Sequence, residues 1–213
     1  MNARHGRGVA LLLAALAITA PQVRAADPGG DTDPAVIFEW NKALHDTAPA
    51  SLGPMVFRHI AILHVAMFDA ANSIQRGFTP FHVSVSAPSG ASTQAAVAQA
   101  AHDVLVGLNP GSAAAYHTLL ASRLESIPAG RRNQGVAVGK AAAAKVLAWR
   151  ANDGASLAPV PYVLPTIPGL WQPAAPGVPA GLTQLPRMVP FGIVTPTHFL
   201  PPRFPELTSA QYA

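Results

Sequence analysis

Histidine is the natural place to look for chemistry in this chain, because imidazole both binds metals and moves protons near neutral pH. The 213 residues include eight histidines and no cysteine. The missing thiol excludes a disulfide framework, a thiolate metal site and a cysteine nucleophile. His59 and His64 lie in the longest apolar run, five residues apart. On a helix they diverge by roughly 140°, whereas two ligands on one helix need a spacing of three or four. There is no H-E-x-x-H, so both are read as buried or half-buried histidines bonded to neighbours. His102 and His117 fall on separate predicted helices, and nothing in the sequence joins them. Asp69, Asn72 and Arg76 are spaced to share one helical line. That cluster suits a small anionic-ligand site or an internal brace between helices; a buried carboxylate needs partners, and the brace is the reading carried forward. Pro88-Ser89-Gly90 lacks the G-x-S-x-G context of a nucleophile and is followed by Ala91, so it reads as a plain loop. No catalytic, cofactor-binding or metal-ligating residue is assigned.

The elements that would position these groups are helical. Asp33-Pro34 starts a first helix carrying Val36, Ile37, Trp40 and Leu44 to about His45. A loop over Thr47 to Gly53 leads to a central helix from Arg58 to Arg76, apolar on nearly all sides, as befits the middle of a bundle. Pro54 precedes it, and Gly77 is placed for a left-handed C-cap. Gly77 to Ala91 reads as irregular, with Phe78, Phe81 and Val83 tucked onto the bundle. Ser92-Thr93 opens an alanine-rich helix to about Leu108, with Val97, Val104, Leu105 and Leu108 facing the core and Gln99, His102 and Asp103 facing away. Asn109-Pro110-Gly111 stops it. Ser112 caps a helix to about Ser126 that bears Tyr116, Leu119, Leu120 and Leu124, and Pro128-Ala129-Gly130 breaks that one. A last helix runs from about Arg132 to Arg150. In it Gly135, Gly139 and Ala143 recur every fourth residue, which predicts close approach of another backbone. Asn152-Asp153-Gly154 ends it. The fold class expected is all-α, a bundle of about five helices.

Composition divides the chain in three. Residues 1–25 read as a signal peptide: Arg4 and Arg7, an apolar core from Val9 to Ala20, and small residues at Val23 and Ala25. Its apolar core is shorter than the ~20 residues of a membrane span, and no later segment is credited as one. Residues 26–154 are the bundle, entered through the flexible Ala26 to Thr32. Residues 155–213 hold 13 of the 22 prolines, which excludes long helices and central strands. That segment also carries Tyr162, Trp171, Phe191, Phe199 and Phe204, so it reads as an extended arm laid on an apolar surface rather than a disordered linker. Without Arg4, Arg7 and Arg24, the 14 basic residues fall to 11 against 10 acidic, a net of +1. No basic stripe remains, and nucleic acid is not an expected partner. The protein is expected to be periplasmic or secreted.

Several of these segments, in this order, resemble the N-terminal half of bacterial vanadium-dependent haloperoxidases and their phosphatidic-acid-phosphatase-like relatives. The resemblance is carried by Trp40-Asn41, by Arg58 with His64 to Asn72, and by Ala95 to Leu105. It continues through Gly135 to Gly139, Arg150 to Gly154, Pro168 to Pro173 and Pro190-Phe191. It implies an all-helical fold, and an oxyanion site for vanadate or phosphate built from three motifs in the family's C-terminal half. Those motifs are a lysine followed at a distance by Arg-Pro, then Pro-Ser-Gly-His, then Ser-Arg with a histidine six residues beyond the arginine. None occurs here: there is no Arg-Pro, Ala91 follows Pro88-Ser89-Gly90, and Ser122-Arg123 has Ala129 where the histidine would stand. The resemblance therefore implies a non-catalytic portion that stops about where a second half would begin. No cofactor is expected in this chain, and vanadate only in a full-length relative. Its expected partners are such a catalytic half or a second copy, through apolar helix faces. The alternative is a secreted helical binding or scaffold protein.

Overall fold

The structure is a computed structural model that describes residues 33–175, 177–202 and 204–211. The predicted signal peptide and the lead-in to Thr32 lie outside the described residues. Among the described residues there are five α-helices and no strand: α1 (Ala35–Thr47), α2 (Val56–Gln75), α3 (Thr93–Leu108), α4 (Ala113–Glu125) and α5 (Ala129–Arg150). Short 3-10 turns cover Ala50–Met55, Pro110–Ser112 and Leu185–Arg187.

The helix ends follow local chemistry. The Asp33 carboxylate accepts the Ala35 N–H at 2.9 Å, and Ser92 Oγ accepts the Ala95 N–H at 3.1 Å. Each satisfies an N–H that the first turn leaves without a helical partner. Two boundaries differ from expectation. The left-handed C-cap of α2 is Arg76, at φ 54°, rather than Gly77. α4 does end ahead of Pro128, at Glu125, but Pro128 is already the N-cap of α5, which so begins at Ala129 rather than near Arg132. Proline has no N–H to lose there. Ser112 makes no capping bond; its hydroxyl accepts from Asn109 Nδ2 instead.

The centre of the bundle is α3, which packs against all four other helices. Its Gln99 and His102, expected to face away, are buried along with Val97, Ala100, Ala101, Val104 and Leu105. Asp103, expected on the same face, does stay partly exposed; a helix that packs against four others keeps only a narrow outer edge, so the wheel misplaces Gln99 and His102. The expected central helix, α2, is less enclosed. Ile62, Leu63, Ala66 and Met67 are in the core, but Phe57 is 71% and Phe68 39% exposed. By length and composition Ala50–Gln75 would suffice to cross a membrane, a property the sequence reading credits to no segment after the leader.

The Gly135, Gly139, Ala143 spacing does bring two backbones together. A Cβ on Gly139 would collide with the carbonyl oxygen of Ala96 and lie 2.8 Å from Gln99 Cβ. One on Gly135 would collide with the Ser92 carbonyl oxygen and lie 2.9 Å from Ala95 Cβ. Because Gly135 meets the start of α3 and Leu147 meets Gly107 near its end, α3 and α5 run parallel. Beyond Gly154 the described residues form no α-helix.

Candidate functional site

Asp69 and Asn72 form the brace. Asp69 is fully buried on α2, and its carboxylate accepts three backbone N–H groups: Phe81 at 2.8 Å through Oδ1, His82 at 2.9 Å and Val83 at 2.7 Å through Oδ2. Asn72 closes on Phe78 from both sides, donating to its carbonyl at 2.7 Å and accepting its N–H at 2.9 Å. Ser73 Oγ accepts the Val85 N–H at 2.9 Å. One face of α2 thus does for residues 78–85 what a neighbouring strand would do. A buried carboxylate is tolerable when several N–H donors converge on it. Arg76 stands apart, exposed at the helix end. Of the loop's expected anchors only Val83 is buried; Phe78 and Phe81 are 68% and 48% exposed, and lean on Phe68 and Trp149.

The second cluster joins residues that the sequence leaves apart. His102 of α3 and His117 of α4 face each other, Nε2 to Nδ1, at 2.7 Å. His102 Nδ1 lies 2.7 Å from Asp103 Oδ1, and Gln99 Nε2 donates to the same oxygen at 2.7 Å. A carboxylate only accepts, so the proton of that bond is on Nδ1 of His102. Trp40 meets the His102 ring edge-on, with centroids 6.4 Å apart, and its buried Nε1 has no hydrogen-bond partner. His102 is buried and His117 exposed. The ring centroids of the two histidines are 4.9 Å apart, which sets them end to end. Two zinc–nitrogen bonds at a tetrahedral angle hold their nitrogens roughly 3.3 Å apart. The pair as it stands is closed by a hydrogen rather than arranged around a metal, and the described residues hold no group of three metal-ligating side chains.

The third cluster is a buried ion network between α2, α5 and the segment after it. Asp153 Oδ2 accepts from Arg58 Nε at 2.7 Å and from Arg150 Nε at 2.9 Å. Arg58 also donates to the Arg150 carbonyl at 2.9 Å, and Arg150 to the carbonyls of Val189 at 2.6 Å and Pro190 at 3.3 Å. The Val189 N–H returns a bond of 2.7 Å to the Asp153 carbonyl. Arg150 is 1% exposed, its guanidinium 3.9 Å from the centre of the Phe191 ring, a cation–π contact. Burial pushes the Asp153 carboxyl up. The Arg58 hydrogen bond, the Ala155 N–H and the charges of Arg58 and Arg150 outweigh it and hold the carboxyl below the usual value.

The remaining candidates are dispersed. His64 lies 3.3 Å from Asn41 Oδ1, and burial lowers its pKa. Burial, then the nearby Arg58 charge, lowers that of His59. Ser89 and Gly90 sit in a plain turn, and Arg123 is paired with Glu39 of α1. One group escaped the sequence reading altogether. His82 stacks on Trp149, centroids 4.1 Å apart, beside an open depression lined by Ser84 and Lys145. A lone histidine in an irregular stretch gives no periodic signal.

These donors do not fit a vanadate or phosphate ion. The guanidiniums of Arg58 and Arg150 are taken up by Asp153 and by carbonyls, and the facing nitrogens of His102 and His117 are turned on each other. No protein-family model, curated protein or solved structure matches the chain.

Proposed function

We propose that this chain is the exported, non-catalytic helical portion of a vanadium-haloperoxidase-like or phosphatase-like protein. Its oxyanion-binding residues would belong to other polypeptide. The observation that supports this reading most is where the residues of the resemblance lie. Arg58, Arg150, Asp153, Pro190 and Phe191, spread over 134 positions of the sequence, meet in one buried network. Asp69, Asn72, Gly135 and Gly139 set the loop and helix packing beside it. Such residues serve a frame, not a reaction, and a frame is what a non-catalytic half contributes. The segment after Gly154 is, on this reading, an extended arm fastened to the bundle at Val189 and Pro190.

Exposed aromatic surface accompanies the frame: Phe38 and Phe57 are 72% and 71% exposed. Apolar surface of this kind suits a partner, whether a catalytic half or, for a secreted scaffold, another copy. The test is an assay of the purified chain with orthovanadate, hydrogen peroxide and bromide. The reading expects no halide oxidation alone, and activity when a polypeptide bearing Arg-Pro, Pro-Ser-Gly-His and Ser-Arg…His is co-expressed with it. Turnover by the isolated chain refutes it. A stable homodimer that ignores such a partner favours the scaffold.

A further inference from the structure

We propose that the His102–His117 contact is an acid-sensitive latch, which lets α4 part from α3 once both rings are protonated. Hydrogen positions follow from the neighbours. Nδ1 of His102 carries its hydrogen toward Asp103, 2.7 Å away. One hydrogen then lies in the 2.7 Å gap between His102 Nε2 and His117 Nδ1. It belongs to His117 when His102 is neutral, or to His102 when His102 is the imidazolium and His117 accepts. Either arrangement holds at most one positive charge on the pair. A second charge places N–H against N–H and leaves the bond without an acceptor. Separated, the two rings no longer set N–H against N–H, so acid favours the parted state. Where the closed pair holds one proton fewer, each pH unit shifts the equilibrium up to tenfold.

The surroundings favour α4 as the element that moves. Of its residues only Tyr116 is fully buried. Its other links, Tyr116 to Thr47 and Asn109 and Arg123 to Glu39, contain no imidazole. The charged and titratable groups around the pair are few. On α3 there is Asp103, held by Gln99. From α1 comes the uncharged Trp40; its neighbour in sequence, Glu39, and Arg123 of α4 are paired with each other. On α5 Lys140 is exposed, one residue after Gly139, which meets Gln99 one turn before His102. On α2 it is His64, joined to Asn41 beside Trp40. Burial lowers the pKa of His64 and His59, whose protonation also disfavours the folded state in acid, so variants must separate them from the latch.

The experiment is amide hydrogen exchange on the full chain at pH 7.5, 6 and 5, corrected for the intrinsic rate and read on peptides of α4 and α5. The expected result is an opening of α4 that rises about tenfold more than that of α5 between pH 6 and 5. His117→Asn keeps a side-chain amide able to donate to His102 Nε2 but takes no second charge, and is expected to abolish that excess. His64→Gln leaves it in place. His117 is exposed, so the variant folds; His117→Gln is its duplicate. Equal responses of α4 and α5 overturn the latch, as does an excess that persists in both His117 variants.

Discussion

Asp153→Ala tests the frame most directly. Asp153 is the one carboxylate between two guanidiniums; its own side chain and that of Arg150 are 2% and 1% exposed, and that of Arg58 is 13% exposed. Removing it leaves two mostly buried charges without a counter-ion. Breaking a buried pair from one side costs about 3–5 kcal/mol, because the remaining charge cannot regain water. Arg150 keeps its carbonyl acceptors at Val189 and Pro190, which holds the loss within that range rather than above it. A domain of this size loses about 2–4 °C per kcal/mol, so the melting temperature is expected to fall roughly 10 °C. Asp153→Asn retains one acceptor and the shape, and should fall less. Urea denaturation followed by circular dichroism gives the free energy, and limited proteolysis after Gly154 reports whether Val189 and Pro190 have come away. A loss under about 1 kcal/mol, or equal losses for Ala and Asn, would refute the claim that the charge organises this network.

Gly139→Ala inserts a methyl group against the Ala96 carbonyl and should destabilise by about 1–3 kcal/mol, whereas Gly130→Ala, with open space around it, should gain up to ~1 kcal/mol in the same melts. Asp69→Ala strands three N–H groups of residues 81–83, at about 1–3 kcal/mol for each one left without a partner; hydrogen exchange should locate the loosening in residues 78–85 before the helices respond. Apart from the opening of α4, the pH dependence has two separate windows. Asp153 is held low in the folded state, so its contribution is complete above the ordinary carboxylate value of about 3.9 and fades as pH falls below it. His59 and His64 are also lowered, so their contribution is full above about 6.5 and declines as pH drops from there; His64→Gln should make that upper limb shallower, with His59 keeping the rest, and leave the lower one unchanged.

What the sequence by itself determined is local. The all-α class, the five helices, the start of α3 at Ser92-Thr93 and its stop at Asn109-Pro110 depend on residues within a turn of one another. The Gly135–Gly139 spacing belongs with them, since a row of missing side chains marks a face that admits a backbone, although it does not say that the backbone is that of α3. The polar partnerships needed the tertiary structure. Asp69 announces that a buried carboxylate wants donors, but the donors are backbone N–H groups of an irregular loop, which every residue type supplies alike. Arg58 and Asp153 are 95 residues apart, and His102 and His117 sit on opposite sides of a chain reversal. The hydrophobic pattern that orients a helix presumes one wet face. In α3, packed against four neighbours, that presumption fails: His102 turns to His117 of α4, a bond that only the assembled bundle provides, while Gln99 is buried with its amide bonded to Asp103 of its own helix.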